Sequence, residues 1–257
     1  MKKQPKNSGK IIDINRREIR KRKKRAARNR FICFLAVIAV ITFMMTPVFN
    51  IKWIDVTGNE KTKFGEIVKA SGVDYEQNIF RLNIKKSKAQ VKKIAYIDEV
   101  SIARHLPGGV MIKVTERVPV ACIKYANGYM LIDKTGRLLE TVKEQLNFPE
   151  IVGIKLAKQK AGETLKTTDE QRIVAMGELL DTLKEHELLE RTSLINIKNA
   201  DNVTFIIDGN KTVKTGGNYR LDYKLKMLEA TVSELSRSEA GVIDLSVEGQ
   251  ALFTPEE

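Results

Sequence analysis

The sequence predicts an α+β protein that consists of one transmembrane helix, a small β-α-α-β-β unit and a second mixed domain of strands and helices. Three observations indicate this fold class. An apolar run of 19 residues follows a strongly basic N-terminal segment, short stretches alternate between apolar and polar residues as strands do, and two later segments repeat apolar residues at helical spacing. With 42% apolar and 30% charged residues, the 257-residue chain can bury the core of one or two domains.

The N-terminal segment, residues 1–30, carries almost all of the net charge. It holds 14 Lys and Arg against Asp13 and Glu18, whereas residues 31–257 hold 31 basic and 30 acidic groups. A nucleic-acid-binding domain would carry its basic patch on a folded surface, so this distribution argues against a nucleic-acid partner. The six consecutive cations at residues 20–25 precede the apolar run, where basic residues keep a segment cytoplasmic and attract anionic lipid headgroups. We predict a disordered cytoplasmic tail.

The apolar run at residues 31–49 is predicted to cross the membrane. Its 19 residues would form a helix about 28 Å long, which matches the hydrocarbon thickness of a bilayer. A cleaved signal peptide would have shorter charged and apolar regions, and Thr46-Pro47-Val48 lacks a small-x-small cleavage pattern. Pro47 is expected in the last helical turn and Trp53 at interfacial depth. The sequence thus predicts an uncleaved single-pass anchor, with the rest of the chain outside.

Residues 50–117 are predicted to form the first folded domain, a β-α-α-β-β unit. Apolar residues alternate with polar or small ones around Ile102 and again around Ile112, which is the period of half-buried strands. Turn and capping residues separate these strands from two short helical segments. The predicted elements are a strand at 51–56, a helix at 64–70 closed by Ser71-Gly72, a helix at 87–94 capped by Ser87, and strands at 100–103 and 110–115 joined by Pro107-Gly108-Gly109.

Residues 118–257 are predicted to form the second domain. Strand patterns at residues 120–125 and 129–133 flank Asn127-Gly128, a pair that supplies the positive φ angles of a tight hairpin. Two amphipathic helices are expected to pack on the sheet. They span residues 169–187, with Ile173, Met176, Leu180 and Leu183 on one face, and residues 222–236, with Leu225, Leu228, Val232 and Leu235 on one face. Further strands are expected at 194–198, 203–207, 212–214 and 242–245.

Histidine, the usual general base in catalysis, occurs only twice, whereas serine and carboxylate residues are plentiful. Neither His105 nor His186 has a surrounding pattern of general acids, bases or nucleophiles. Cys33 lies in the predicted span and Cys122 is expected to be a small core residue, so the outer part has no cysteine pair for a disulfide. Metal-ligand spacing, a phosphate-binding loop and a nucleophile elbow are all absent from the sequence. We predict a protein that is not an enzyme and that binds no cofactor, metal or small-molecule substrate.

Motifs in a fixed order along nearly the whole chain resemble those of the FtsQ/DivIB family of bacterial cell-division proteins. In the first domain they are Val56-x-Gly58-Asn59, Ile102-Ala103-Arg104 with Pro107, and Glu116-Arg117-x-Pro119-Val120-Ala121. In the second they are Leu131-Ile132-Asp133-x-x-Gly136, Phe148-Pro149-x-Ile151-x-Gly153, Lys224-Leu225 and Gly241-Val242-Ile243-Asp244-Leu245. The sequence departs from the family pattern at Ala95, where a proline is frequent, and the long C-terminal tail of some relatives is not expected after Phe253. Arg104 and Glu116 are expected to form a cross-strand charge pair worth under ~1 kcal/mol.

The resemblance implies a POTRA domain at residues 50–117 and an FtsQ-type extracytoplasmic domain at residues 118–257. It implies a single-pass type II protein of the cell membrane, concentrated at the division septum, that acts as a non-enzymatic scaffold and supports septal peptidoglycan synthesis. The implied partners are the bitopic division proteins FtsL and DivIC (FtsB-like), with components of the septal synthase. The family-motif positions are Gly58, Asn59, Arg104, Pro107, Glu116, Arg117, Pro119, Asp133, Gly136, Pro149 and Gly153.

The last apolar segment suggests how a partner could bind. A terminal strand at residues 241–247 is expected to present an unpaired edge, to which a partner segment adds through main-chain hydrogen bonds. On this hypothesis Ile243, Asp244, Leu245 and Val247 bind the partner. The alternative is that they are core residues only.

Two other functions fit parts of the pattern. The chain could be another anchored POTRA protein that handles secreted polypeptides, or an anchored envelope hydrolase. Proteins of the first kind usually precede a barrel or accompany a secretion system, and nothing barrel-like follows in the sequence. The second would need a convergent catalytic site, which the sequence does not contain.

Overall fold

The computed structural model describes residues 10–154, 156, 159–167 and 169–256, with side chains from Arg20 onward. Contacts divide the described residues into two compact units. The first lies within Met1–Asp55, Val73–Ile84 and Ile102–Met111, and the second within Val56–Gly72, Lys85–Ser101 and Ile112–Glu257. An N-terminal apolar helix, a small sheet with helices and a larger mixed sheet follow one another along the chain. This confirms the predicted α+β fold class.

The N-terminal helix α1 spans Lys10–Met44, and its part Arg20–Met44 is long and apolar enough to cross a membrane. The sequence predicts a disordered tail up to residue 30. Residues 1–9 of that tail lie outside the described residues, but from Lys10 onward the tail is helical. Residues 10–44 contain no glycine or proline, and extending an existing helix is far easier than nucleating one. The basic segment therefore continues the membrane helix.

Helix α1 ends at Met44, five residues before the predicted end of the span. The residue before a proline is driven out of the helical region, and Thr46 is extended, with φ −68° and ψ 155°. Pro47–Phe49 then form one turn of 3₁₀ helix with the proline at its start. The prediction that Pro47 closes the last turn of α1 is therefore wrong.

The next elements follow the predicted β-α-α-β-β order. They are β1 (Trp53–Thr57), α2 (Phe64–Ser71), α3 (Ile84–Val91), β2 (Ile97–His105) and β3 (Gly109–Glu116), and the strands form a three-stranded sheet in the order β1-β3-β2. Helix α2 is closed by Gly72 in the left-handed conformation, with φ 62°, as its sequence predicts.

Two boundaries in this region differ from prediction. Strand β1 begins at Trp53 rather than at residue 51, because the main chain of Ile51 bonds to Glu76 and Gln77 instead. Helix α3 begins at Ile84, so Ser87 is not its N-cap. Ser87 is buried inside the helix, one turn before the buried Val91. It belongs to the inner face of α3.

The rest of the chain forms a nine-stranded mixed sheet with two helices. The elements are β4 (Ala121–Tyr125), β5 (Gly128–Ile132), β6 (Leu138–Val142), β7 (Glu150–Val152), α4 (Gln171–Glu185), β8 (Thr192–Asn196), β9 (Thr204–Ile207), β10 (Lys211–Lys214), α5 (Leu221–Glu234), β11 (Gly241–Asp244) and β12 (Leu252–Pro255). The strand order is β12-β11-β10-β9-β8-β7-β4-β5-β6. The predicted helices and strands are all found within a few residues, whereas β6, β7 and β12 were not predicted.

Both predicted amphipathic helices bury one face in the core of this sheet. Helix α4 contributes Leu179 and Leu183, helix α5 contributes Leu225 and Leu228, and the ring of Phe205 in β9 is fully buried in the same cluster. Each such side chain adds about 1.5–3 kcal/mol of hydrophobic stabilisation. The helical spacing of apolar residues in the sequence therefore predicts which face of each helix packs on the sheet.

The predicted hairpin between β4 and β5 is present, but its connection is one residue shorter than predicted and its turn differs. Tyr125 pairs with Gly128, and the positive φ angle, 50°, falls on Ala126 rather than on Asn127-Gly128. Gly128 is required for another reason. A Cβ atom there would lie 2.3 Å from the carbonyl oxygen of Val142 in β6. The glycine thus permits close approach of the third strand.

Candidate partner-binding edge and the motif residues

The predicted edge at residues 241–247 is an internal strand in the structure. Strand β11 pairs in parallel with β10 on one side and antiparallel with β12 on the other. The chain reverses after β11 through a turn that contains Gly249 at φ 74°, and Leu252–Pro255 returns to cover the strand. The prediction of an unpaired edge at 241–247 is therefore wrong, because a short strand follows that the sequence analysis missed.

The four residues predicted to bind a partner occupy different environments. Ile243 and Leu245 are fully buried in the core. Asp244 is half-buried and accepts the backbone N–H of Ser246 at 2.8 Å, and hydrogen bonds from Ser246 lower the pKa of its carboxyl group. Val247 is 57% exposed. Of the four side chains, that of Val247 is the most available to a partner.

Strand β12 is the last strand in the sheet order. No strand among the described residues pairs with its outer side. Glu256 donates its N–H to the carbonyl of Ala240 at 3.0 Å, and hydrogen-bonded pairs alternate along an antiparallel ladder. The main chain of Phe253 therefore faces outward, while Pro255 offers an outward carbonyl without an N–H. The side chain of Leu252 is 65% exposed.

An ion pair holds the turn that leads into β12, and hydrogen bonds hold the adjacent start of α5. Arg220 forms an ion pair with Glu248 in this turn and stacks over the ring of Tyr223 at 4.7 Å. Lys224 is buried, and its Nζ donates to the carbonyls of Thr215 at 2.7 Å and Gly217 at 3.0 Å, while burial lowers the pKa of its ammonium group. The start of α5 is thereby tied to the loop after β10 and to the approach of the edge strand.

Glu116 at the end of β3 holds the turn that follows β1. Its carboxylate accepts the backbone N–H groups of Glu60 at 3.0 Å, Lys61 at 2.8 Å and Thr62 at 2.7 Å. Burial acts to raise the pKa of Glu116, but these N–H groups outweigh it and the pKa is lowered. In the same turn Asn59 donates its Nδ2 to the carbonyl of Thr62 at 2.9 Å. The motif residues here act as a structural cap.

Arg104 and Glu116 do not form the predicted charge pair. The Nε and Nη2 atoms of Arg104 donate to the carbonyls of Ile79 at 2.9 Å and Leu82 at 2.7 Å, so the side chain secures the segment before α3. The predicted pair does not form because main-chain carbonyls accept from Arg104 and main-chain N–H groups donate to Glu116. Pro107 of the same motif lies in the turn between β2 and β3, as predicted, and follows a cis peptide bond.

Arg117 is the motif residue with the most side-chain partners. Its Nη2 contacts Asp98 in β2 at 2.6 Å, and its Nη1 contacts Asp133 after β5 at 2.5 Å and the Thr135 hydroxyl at 3.2 Å. Its backbone N–H donates to the carbonyl of Tyr96 at 2.7 Å. With 17% of its side chain exposed, Arg117 bridges the largely buried carboxylate of Asp133 and the half-exposed carboxylate of Asp98.

Asp133 organises the turn before β6. Its Oδ1 atom accepts the backbone N–H groups of Thr135 at 2.9 Å and Arg137 at 2.8 Å, which is an Asx turn. Gly136 lies in this turn at φ 74° and donates its N–H to the Asp133 carbonyl at 3.0 Å. These motif residues therefore present the second carboxylate to Arg117.

The remaining motif residues are also structural. Gly58 and Gly153 have φ angles of 84° and 93°, and Pro119 lies half-buried in the extended segment between β3 and β4. The carbonyl of the buried Pro149 accepts the N–H of Cys122 at 2.9 Å. Burial, and then the carboxylate of Glu150, raise the pKa of the Cys122 thiol to about 11.

The two histidines lie in separate places. His186 closes the end of α4, and its two ring nitrogens lie 3.1 Å from carboxylate oxygens of Asp222 and Glu229 on α5. His186 thus links α4 to α5 through its side chain and also borders their packed faces. The ring of His105, an exposed residue at the end of β2, lies 5.8 Å from that of Trp53. Neither arrangement contains a nucleophile.

Sequence reasoning missed the residues of β12, which form the candidate edge. The available signal is Leu252-Phe253-Thr254, a β-prone run between Gly249 and Pro255. The run is shorter than the strands that a period-two pattern can detect, and Pro255 counts against a strand.

Comparison with known proteins identifies both folded regions. Residues 49–117 match the family model described as POTRA domain, FtsQ-type, and residues 121–246 match the one described as Cell division protein FtsQ/DivIB, C-terminal. Together the two models account for most of the chain.

The similar proteins carry division names. The chain is 28% identical to cell division protein DivIB of Clostridium botulinum strain Hall over 92% of this chain and 94% of the relative, and 21% identical to that of Bacillus subtilis over 93% and 89%. A solved extracytoplasmic domain of DivIB from Geobacillus stearothermophilus is 22% identical, covers 48% of this chain and 98% of its own, and has a TM-score of 0.33. The chain belongs to the FtsQ/DivIB family of cell-division proteins.

Proposed function

We propose that this division protein is a non-enzymatic membrane-anchored scaffold that binds bitopic partners of the FtsL and DivIC (FtsB-like) type and supports septal peptidoglycan synthesis. Helix α1 crosses the cell membrane once, with the basic segment inside and a POTRA domain at residues 50–117 and a second domain at residues 118–257 outside. The single observation that carries partner binding is the free edge of β12.

The edge strand supports the proposal through its main chain and its exposed side chains. An added strand would use the outward groups of Phe253, and its side chains would meet Leu252 and Val247, both of which are exposed. Main-chain hydrogen bonds supply affinity in such complexes, and side-chain contacts supply specificity. The buried Ile243 and Leu245 act by shaping the strand beneath rather than by contact.

The partner site is tested with Leu252→Asp in the full-length protein. A charge on the exposed face of β12 must be desolvated when a partner strand adds, so co-purification of FtsL and DivIC-type partners should fall about tenfold or more. Val118→Asp is the matched control, because Val118 is 63% exposed and lies outside the edge. Equal recovery of the partners with both variants would remove β12 from the proposal.

The cellular role is tested with a fluorescent fusion to the full chain. The expected result is a band of fluorescence at midcell in dividing cells, and the Leu252→Asp fusion separates recruitment of the protein from binding of its partners. Uniform fluorescence over the cell envelope throughout division would overturn the septal role.

A further inference from the structure

The carbonyl groups at the end of α1 are all satisfied by protein donors. The N–H of Met45 donates to Ile41 and Thr42 at 3.1 Å, and the N–H and hydroxyl of Thr46 donate to Phe43 at 3.1 and 2.7 Å. The last carbonyl, that of Met44, accepts Nδ2 of Asn78 at 2.9 Å. Terminal carbonyls of a helix in water are commonly left to solvent, whereas those in lipid must be satisfied internally.

The uncharged part of α1 is shorter than the membrane it would cross. Residues 31–44 number 14, which gives about 21 Å of helix against a hydrocarbon core of about 30 Å. The residues that follow the helix are placed to supply part of the missing thickness. Met45 and Val48, both exposed and apolar, occupy this position.

The segment after the helix is bound tightly to the rest of the first unit. The ring of Phe49 packs against Phe43 of α1 at 5.3 Å and against Phe80 at 5.2 Å. The carbonyl of Phe49 accepts the N–H of Ile79 at 2.9 Å, and the main chain of Asn50 forms a bridge with Asn78. The end of the membrane helix therefore cannot move independently of these residues.

The turn between β2 and β3 is held beside this helix end. The N–H of Lys52 donates to the carbonyl of Gly108 at 2.8 Å. The indole of Trp53 lies so close to Gly109 that a Cβ atom there would be 2.1 Å from the ring. Leu106 in this turn is 60% exposed and Trp53 is 45% exposed. The turn thus adds apolar surface next to the site where α1 ends.

We propose that Val48, Trp53 and Leu106 form a membrane rim that inserts into the headgroup layer of the outer leaflet and seats the first unit on the bilayer. The inference rests on the proposed membrane crossing by α1. The occupant is phospholipid for two reasons. The rim lies where the uncharged helix falls short of the hydrocarbon thickness, and Met45, Thr46 and Asn78 satisfy the last helix carbonyls without water. Trp53 is the side chain best suited to this depth, since its ring is amphipathic.

The test uses Trp53, the single tryptophan of the chain, in full-length protein reconstituted in lipid nanodiscs. Two phosphatidylcholines are compared, one with a nitroxide near the headgroup and one with the nitroxide at the chain end. Because Trp53 is expected at interfacial depth, the headgroup nitroxide should quench its fluorescence at least about twice as strongly as the chain-end nitroxide. Leu106→Asp should reduce this quenching, with Leu106→Gln as a milder second variant. Val118→Asp is the matched control and should leave the quenching unchanged.

The possible failures are distinct. Protein that stays in the nanodisc with Trp53 unquenched by either lipid overturns the rim, leaves the proposed anchor intact and frees this surface for a protein partner. Protein that does not stay in the nanodisc overturns the anchor and, with it, the rim. Quenching that is unchanged by both Leu106 variants, with each variant folded by its thermal transition, removes the β2–β3 turn from the rim.

Discussion

Glu116 and Arg117 are adjacent in the sequence but stabilise different parts of the second unit. The carboxylate of Glu116 binds three N–H groups 54 to 56 positions earlier in the chain, and the guanidinium of Arg117 binds Asp98 and Asp133. The motif identifies these residues from the sequence, but spacing does not reveal partners so far away. For that reason the predicted pair between Arg104 and Glu116 was wrong.

Substitution of Arg117 should destabilise the second unit strongly. Arg117→Met leaves the largely buried carboxylate of Asp133 without its cation, so the free energy of unfolding should fall by about 3 kcal/mol in urea denaturation. Arg117→Lys should not restore it, because one ammonium group cannot span two carboxylates as the guanidinium does.

A matched control for Arg117 is Lys134→Met, which removes the exposed pair between Lys134 and Asp181 at 2.7 Å. The loss should be much smaller than that of Arg117→Met, because water solvates both groups of this pair. Equal losses from the two variants would show that the bridge at Arg117 has no special weight.

Glu116 should contribute stability that depends on pH. Its folded-state pKa is lowered, so the contribution is fully present above the ordinary pKa of a glutamate and is lost as the pH falls through the lowered folded value. Glu116→Gln should reduce the free energy of unfolding at neutral pH by about 1 kcal/mol, because the site is partly exposed, and should flatten the acid side of the stability curve. The exposed Glu99→Gln serves as control; parallel pH profiles for the two variants would contradict the cap.

At the scale of the element, the turn after β1 depends on close approach of two backbones. Gly58 combines a φ of 84° with a position where a Cβ atom would lie 2.0 Å from the carbonyl oxygen of Val114 in β3. Gly209 has a similar φ, 78°, but open space around it. The two glycines therefore separate the cost of the backbone conformation from the cost of the contact.

Gly58→Ala should be much more damaging than Gly209→Ala. The second change should cost about 1 kcal/mol for the left-handed conformation alone, whereas the first must also move strand β3 and should cost about 3 kcal/mol or more. Thermal unfolding of both variants provides the measurement. Similar transition temperatures for the two would mean that the turn relaxes freely away from β3.

Strands β11 and β12 show where element prediction stops. The pattern of Val242, Ile243 and Leu245 predicts a strand correctly, but the same apolar pattern occurs in edge and internal strands. Whether the strand is an edge or an internal strand depends on whether a later segment folds back beside it. That segment is the short strand Leu252–Pro255. The candidate partner residues shift accordingly from buried Ile243 and Leu245 to exposed Val247 and Leu252.

At the scale of the whole molecule, the uneven charge predicts an orientation for the chain. The basic segment precedes the membrane helix and the nearly neutral remainder follows it. By the positive-inside rule we expect this asymmetry to place the N-terminus in the cytoplasm. The native cysteines give little background for labelling, because Cys33 lies in α1 and Cys122 is buried with a pKa raised to about 11.

The topology is tested by single introduced cysteines in the Cys33→Ala protein. A membrane-impermeant maleimide should label Tyr219→Cys in intact protoplasts, since Tyr219 is highly exposed, and should label Lys21→Cys only after lysis. Labelling of Lys21→Cys before lysis, with Tyr219→Cys protected, would reverse the orientation.

The sequence by itself determined the membrane helix, the order of the helices and of nine of the twelve described strands, and the family, because uncharged length, periodicity and motif order are all local properties along the chain. The tertiary structure alone decided that β12 rather than β11 is an edge strand of the sheet, that Glu116 caps a distant turn, that Arg117 joins Asp98 to Asp133, and that Asn78 closes α1. The edge depends on whether a short segment folds back, and the other three depend on groups 16 to 56 positions apart in sequence. In each case the pairing is set by how the elements pack rather than by residue type.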